Sequence, residues 1–239
     1  MYKHKHYLAI LACTILVSAC AQENKKKNND FQIKKVKVTH HADLAVTVWQ
    51  MTLVGTAGET VPQAKGQLDG APVLGYVFPT SLGTSDVGFG TTEGIVALAL
   101  TSHPDFDDTP LWDENSDQDY DNDGLVWHPH WVILIKDERV SGGFSVKQFK
   151  QGDDSVVLPK TNPGMPMYMD SPGFGVRTSK QTIQVVVPDY RINHKTDFNY
   201  DGVTAFMKVN TSDDTLPLLG VYEVYGVASG DLSLPFRVE

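Results

Sequence analysis

Three observations predict an all-β fold, an antiparallel β-sandwich or jelly-roll-like structure with long acidic and Pro/Gly-rich loops. No window of a dozen residues carries apolar side chains at i, i+3, i+4 and i+7 without a Gly or Pro interrupting it, so long amphipathic helices are not expected. Apolar and polar residues alternate instead along many short stretches, which is the period of a strand. Thirteen prolines and twenty glycines are spread along the 239 residues and would break helices repeatedly.

The first strand is expected in ADLAVTVWQMTLVG (42–55), where Leu44, Val46 and Val48 face one way and Trp49, Met51 and Leu53 the other. GIVALALTS (94–102) reads as a short buried strand and VWHPHWVILI (126–135) as the next. GFSVKQF (143–149), QTIQVVVP (181–188), VTAFMKVN (203–210), LGVYEVYGVA (219–228) and LSLPFRV (232–238) complete the set. Between them lie Gly, Pro, Asp and Asn, the residues that make turns. No repeat of fixed period is present, which argues against a propeller or solenoid. Two connections are long: 102–124 is acidic, and 159–175 is rich in Pro and Gly. Long loops on a β scaffold are where function concentrates.

The first twenty residues read differently. Lys3 and Lys5 form a basic start, an apolar run follows from Tyr7 to Val17, and small residues come next. This is the pattern of a secretory signal, with an apolar run too short to span a bilayer as a mature anchor. Val17-Ser18-Ala19-Cys20 resembles the bacterial lipobox, with Val where Leu is commoner. The resemblance implies cleavage before Cys20 and attachment of lipid to that cysteine. It also implies an envelope location. Ala21 and Gln22 follow rather than the Asp that retains such proteins at the inner membrane, so an outer-membrane lipoprotein, facing periplasm or surface, is expected. The division is therefore a signal peptide at 1–19, a polar tether at 20–30 containing three consecutive lysines, and one β-domain over 31–239. The other cysteine, Cys13, lies inside the signal, so no disulfide is expected in the mature chain.

Charge narrows the partners. The chain carries 20 Lys+Arg against 29 Asp+Glu, a net charge of −9. Such a surface repels phosphate, which excludes nucleic acid, and attracts cations. From Gly66 to Ile135 there is no Lys or Arg, while the same stretch holds twelve acids, nine of them between Asp105 and Asp123. Carboxylates crowded together without basic partners raise one another's pKa or capture a cation. Asp119, Asp121 and Asp123 alternate and are followed by Gly124, which resembles the first half of an EF-hand-type calcium loop. The closing Glu of that family is absent, since His130 stands at the twelfth position, and strands rather than helices flank the loop. Asp197, Asn199 and Asp201 before Gly202 repeat the arrangement, again without the closing Glu. Calcium is the expected ion at these oxygen-rich sites. Turn formation by Asp, Asn and Gly is the plainer reading.

A second chemistry follows the acids. In WHPHW, His128 and His130 share one face of a strand, and Pro129 marks a strand start or an edge. Two imidazoles so placed can chelate zinc, copper or iron if a third ligand arrives from elsewhere: His40, His41, His103 or a nearby acid. They can equally hydrogen-bond the acidic loop. The pair is similar to the His-x-His of cupins, but the acid that follows it there is missing here, and nothing is carried over from that family. Met165, Met167 and Met169 alternate in the second long loop, where soft thioethers would suit copper or simply fill space. The leading expectation is a lipid-anchored binding or structural module with a calcium-stabilised loop and a His-lined metal or ligand site. The alternatives are a metal-dependent enzyme using His128 and His130 as ligands, and a copper or haem carrier.

Overall fold

In the computed structural model, residues 28–63, 67–104, 118 and 126–239 are described. The signal segment, Cys20 and the tether up to residue 27 lie outside them. Alternation becomes strands that all pair antiparallel. One four-stranded sheet holds β1 (Ile33–His41), β2 (Val46–Leu53), β8 (Val176–Ser179) and β9 (Thr182–Pro188) in the order β1-β2-β9-β8. A seven-stranded sheet holds β3 (Pro72–Pro79), β4 (Ile95–Ser102), β5 (His128–Lys136), β6 (Phe144–Val146), β7 (Met169–Asp170), β11 (Val203–Val209) and β12 (Leu219–Val227), in the order β4-β3-β11-β12-β6-β5-β7. Strand β4 also pairs with β5 from Ile95–Leu134 to Thr101–His128, which closes six strands into a barrel. The other seam is slight: β12 meets β6 at the single pair Gly220–Ser145. A small ladder joins β10 (Asn199–Tyr200) to β13 (Phe236–Arg237). The fold is all-β, and the only helices among the described residues are three short 3-10 turns, at Asn29–Phe31, Thr84–Val87 and Asp189–Ile192. None of the described helices is long and apolar enough to cross a membrane.

Antiparallel sheets usually keep one polar face, but β3, β4 and β5 are buried on both. Their outward residues, including Tyr76, Phe78, Leu98, Leu100, Trp131 and Ile133, pack against Trp49, Met51, Leu53, Ile183, Val185 and Val187 of the four-stranded sheet. Trp49 lies at the middle of this layer. It stacks on Phe198 at 5.2 Å, meets Trp131 edge-on at 5.8 Å, and donates from Nε1 to Thr47 Oγ1 at 2.9 Å. Inward residues such as Val73, Val77, Ala97, Ala99, Val132, Ala205 and Met207 form a second cluster inside the barrel. Two faces to bury explain why these strands read as almost unbroken apolar runs.

The structure departs from the sequence expectation at both ends of the chain. Asn28–Asp30, placed in the tether by composition, join Phe31 in a capped turn, with Asp30 accepting from Thr56 N and Thr60 Oγ1. The strand expected over 42–55 begins only at Val46, because Ala45 takes a left-handed turn conformation (φ 50°). The strand expected over 232–238 shrinks to Phe236–Arg237: Leu232 and Leu234 have φ of 59° and 54°, which no strand permits. Strands β1 and β3 lie outside the expected set: three of the nine residues of β1 are lysines on exposed or half-exposed positions, and β3 is an apolar run bounded by prolines and interrupted by Gly75.

At the turn after β5, Asp137 is buried and accepts from Arg139 Nε, Nη2 and N and from Ser145 Oγ. The Arg139 guanidinium beside it holds its carboxyl well below the usual carboxylate range. A depressed pKa contributes stability above the unfolded value of about 4 that is lost as pH falls through the folded one. Asp137→Asn is therefore expected to lower stability by about 1–2 kcal/mol at neutral pH. The deficit should disappear at strongly acid pH, as denaturant melts of both proteins would show.

Candidate metal centre

Barrel closure brings three histidines together. Strand β4 ends at Ser102, and His103 continues the inward face of Ala99 and Thr101 by the two-residue period. His130 stands opposite Ala99 and His128 opposite Thr101, so His128 and His130 also face inward, as the spacing predicts. All three are buried, with at most 2% of the residue exposed. The rings of His128 and His130 lie 4.8 Å apart at 83°, and those of His103 and His128 4.7 Å apart at 85°.

Hydrogen bonding sets the direction of each ring. His103 Nδ1 lies 2.8 Å from the Pro104 carbonyl oxygen, His128 Nδ1 2.6 Å from that of Val126, and His130 Nδ1 3.3 Å from that of Asp170. A carbonyl oxygen only accepts, so Nδ1 donates in neutral His103 and His128, whose Nε2 then presents a lone pair. Ser171 Oγ adds a contact to His130 Nδ1 at 3.1 Å. The three rings offer ligand nitrogens that all lie within 4.8 Å of one another. His103 Nε2 and His128 Nε2 are 3.0 Å apart, with Thr101 Oγ1 3.4 Å from the latter. Two lone pairs at that distance repel unless a cation sits between them. Two nitrogens bound to one tetrahedral zinc, each at ~2.0–2.1 Å, stand roughly 3.3 Å apart. The described residues contain no other grouping of three or more His, Cys, Asp or Glu ligand atoms with metal-site spacing. Three imidazoles held from behind by carbonyls are a donor set that can hold a metal ion.

The centre sits at one end of a cavity of about 340 Å³ inside the barrel. Strand β4 ends and β5 begins at the histidine end; Ile95, which opens β4, and Lys136, which closes β5, mark the other. The walls are apolar and include Met165, Met167 and Met169, so the alternating methionines of the second loop form part of the cavity wall.

The remaining sequence candidates lie elsewhere. Asp119, Asp121 and Asp123 fall outside the described residues. Asp197 pairs with Arg237 at 2.5 Å, Asn199 donates to the Leu234 carbonyl at 2.9 Å, and Asp201 accepts from Ser229 Oγ and from Ser229 N at 3.1 Å. These side chains tie the segment after β12 to the barrel. His40 is distant, bonded to Asp189 at 2.9 Å beside the four-stranded sheet. Of the third ligands the sequence offered, the structure selects His103. The legible signal is Ala-x-Ala-x-Thr-x-His, one inward face running off the end of β4. Nothing in the sequence pointed to Ser171.

The chain matches no protein-family model, no curated protein and no solved structure.

Second partners of metal-binding histidines typically govern affinity by ~10–100-fold. Ser171→Ala is expected to preserve the fold and to weaken binding of a divalent metal ion about tenfold, as competition with a coloured chelator would report.

Proposed function

We propose that this chain is a bacterial envelope lipoprotein, anchored through Cys20 in the outer membrane, whose barrel is a transition-metal-binding module. His103, His128 and His130 hold one divalent ion through Nε2 and leave a coordination position toward the cavity. The observation that carries this reading is the convergence of three buried rings, with His103 Nε2 3.0 Å from His128 Nε2 and a ligand nitrogen of His130 within 4.8 Å of theirs. Imidazole suits zinc, copper and iron(II). Three neutral histidines with one open position match the open zinc arrangement, so zinc is the ion assigned. Calcium belongs to a separate, all-oxygen site in the acid-rich segment around Asp119, Asp121 and Asp123.

Binding is favoured over hydrolysis by what lines the cavity. Among the described residues its one carboxylate is Asp231, which follows β12 and lies at the end away from the histidines. No described carboxylate of the cavity is placed as a general base beside the ion.

Protein freed of metal by chelator and then titrated with zinc or cobalt(II), under excess calcium to occupy acidic sites, is expected to take up one equivalent. Cobalt should give the absorption of a tetrahedral site. The melting temperature should rise, since ligand at ~100 times its Kd stabilises by about 2.7 kcal/mol. His103→Ala and the double variant His128→Ala/His130→Ala should lose this binding. Undiminished stoichiometric uptake by the double variant would refute the centre. The anchor is tested separately: Cys20→Ala should move the protein from the membrane fraction to the soluble one.

A further inference from the structure

The cavity has a second end, and its lining points to an occupant. A six-stranded barrel would ordinarily be filled by its own side chains. Here the small side chains of Ala99 on β4 and Ala205 on β11 leave the middle open, while Met207 fills the space over Gly75 on β3, where an added Cβ would lie 2.6 Å from its Cε. The space is long and narrow. Ile95 and Thr101, both on its wall, are six residues apart on one strand, about 20 Å at ~3.4 Å per residue. Its volume of about 340 Å³ holds roughly eleven heavy atoms at ~30 Å³ each, the share of a water molecule in the liquid. The walls are aliphatic, and four of the lining residues are methionines, whose flexible thioethers adapt to a chain that slides or bends.

Polarity is confined to the ends. His103, His130 and Thr101 close one, and Lys136 and Asp231 stand at the other. That end is the exposed one: Lys136 is exposed, against 2% for His103 and His130. Asp231 is occupied by the backbone N–H of Ser233, at 3.1 Å. Lys136 continues the inward face of His130, Val132 and Leu134, so its stem extends the apolar wall and its ammonium reaches the rim. The mouth is shaped by Leu232 and Leu234, both in the left-handed conformation that bulky residues avoid, and held there by the Asp201–Ser229 and Asn199–Leu234 bonds.

We infer that the barrel binds a medium-chain fatty acid, with its tail running toward the histidines and its carboxylate at Lys136. The inference stands on the cavity and does not require metal at the histidines. Binding of decanoate and of decanol, which has the same chain without the charge, is measured by calorimetry on metal-free and zinc-loaded protein. Both should bind. Ala205→Phe, which fills the middle of the cavity, should weaken both at least tenfold. Val203→Phe, farther along β11, provides the same test if Ala205→Phe does not fold. Lys136→Gln should weaken decanoate about fivefold and leave decanol unchanged. Failure of both ligands to bind, or binding indifferent to the filling variants, overturns the proposal. So does decanoate binding that ignores Lys136→Gln. Because the metal-free arm is read alone, a failed zinc centre and a failed fatty-acid site give different results.

Discussion

The pairing of β4 with β5 is the constraint on which the rest of the molecule depends. Without it the seven-stranded sheet would be an open surface, and His103, at the end of β4, would lie five strand positions from its partners on β5 rather than next to them. With it, seven residue pairs from Ile95–Leu134 to Thr101–His128 fix the register. A slip of one residue would turn His128 and His130 outward into the core around Trp49. That core resists the slip, because Trp131 and Ile133 occupy its outward side and are buried to 1% or less. The tryptophans that sandwich the histidine pair in sequence therefore act as its register pins.

Rigidity at the histidines follows from the same source. Each ring is held by a backbone carbonyl, and those of Val126 and Pro104 belong to the segments entering β5 and leaving β4. Trp127, next to His128, donates to the Gly58 carbonyl at 3.0 Å and packs on Tyr76. Tyr76 in turn bonds Gly58 N and the Asp30 carbonyl, and burial pushes its hydroxyl up to about 12. The donor set is thus supported by groups that stay neutral across the physiological range. A metal site whose supports do not titrate keeps its shape while the ligands themselves exchange protons for metal.

Much of this was legible in the sequence. The all-β class, the shared face of His128 and His130, and seven strands (β2, β4, β5, β6, β9, β11 and β12) follow from period-two alternation and short apolar runs. Within GIVALALTS, read only as a buried strand, Ala97, Ala99 and Thr101 form a small-residue face and Val96, Leu98 and Leu100 a large one. Only the fold shows that the first lines a cavity and the second a core. Barrel closure was not legible, because it depends on contacts between strands whose partners alternation does not name. Leu232 and Leu234 misled for a related reason. Alternating leucines look like a strand, and nothing local announces that Asp201 and Asn199 will hold the backbone in a left-handed path. The DFNYDG segment has the composition of an ion loop, yet its side chains are spent on Arg237, Leu234 and Ser229.

The two seams of the barrel are unequal. On one side β4 and β5 are bound along their whole length; on the other, Gly220–Ser145 is the one ladder pair between β12 and β6. A closed cylinder normally fixes its own girth, because widening it breaks every ladder a little. Here the strain of widening falls on a single place, the seam one strand beyond β5. The barrel is built less like a pipe than like a cuff, sewn along one edge by seven pairs and fastened at the other by one.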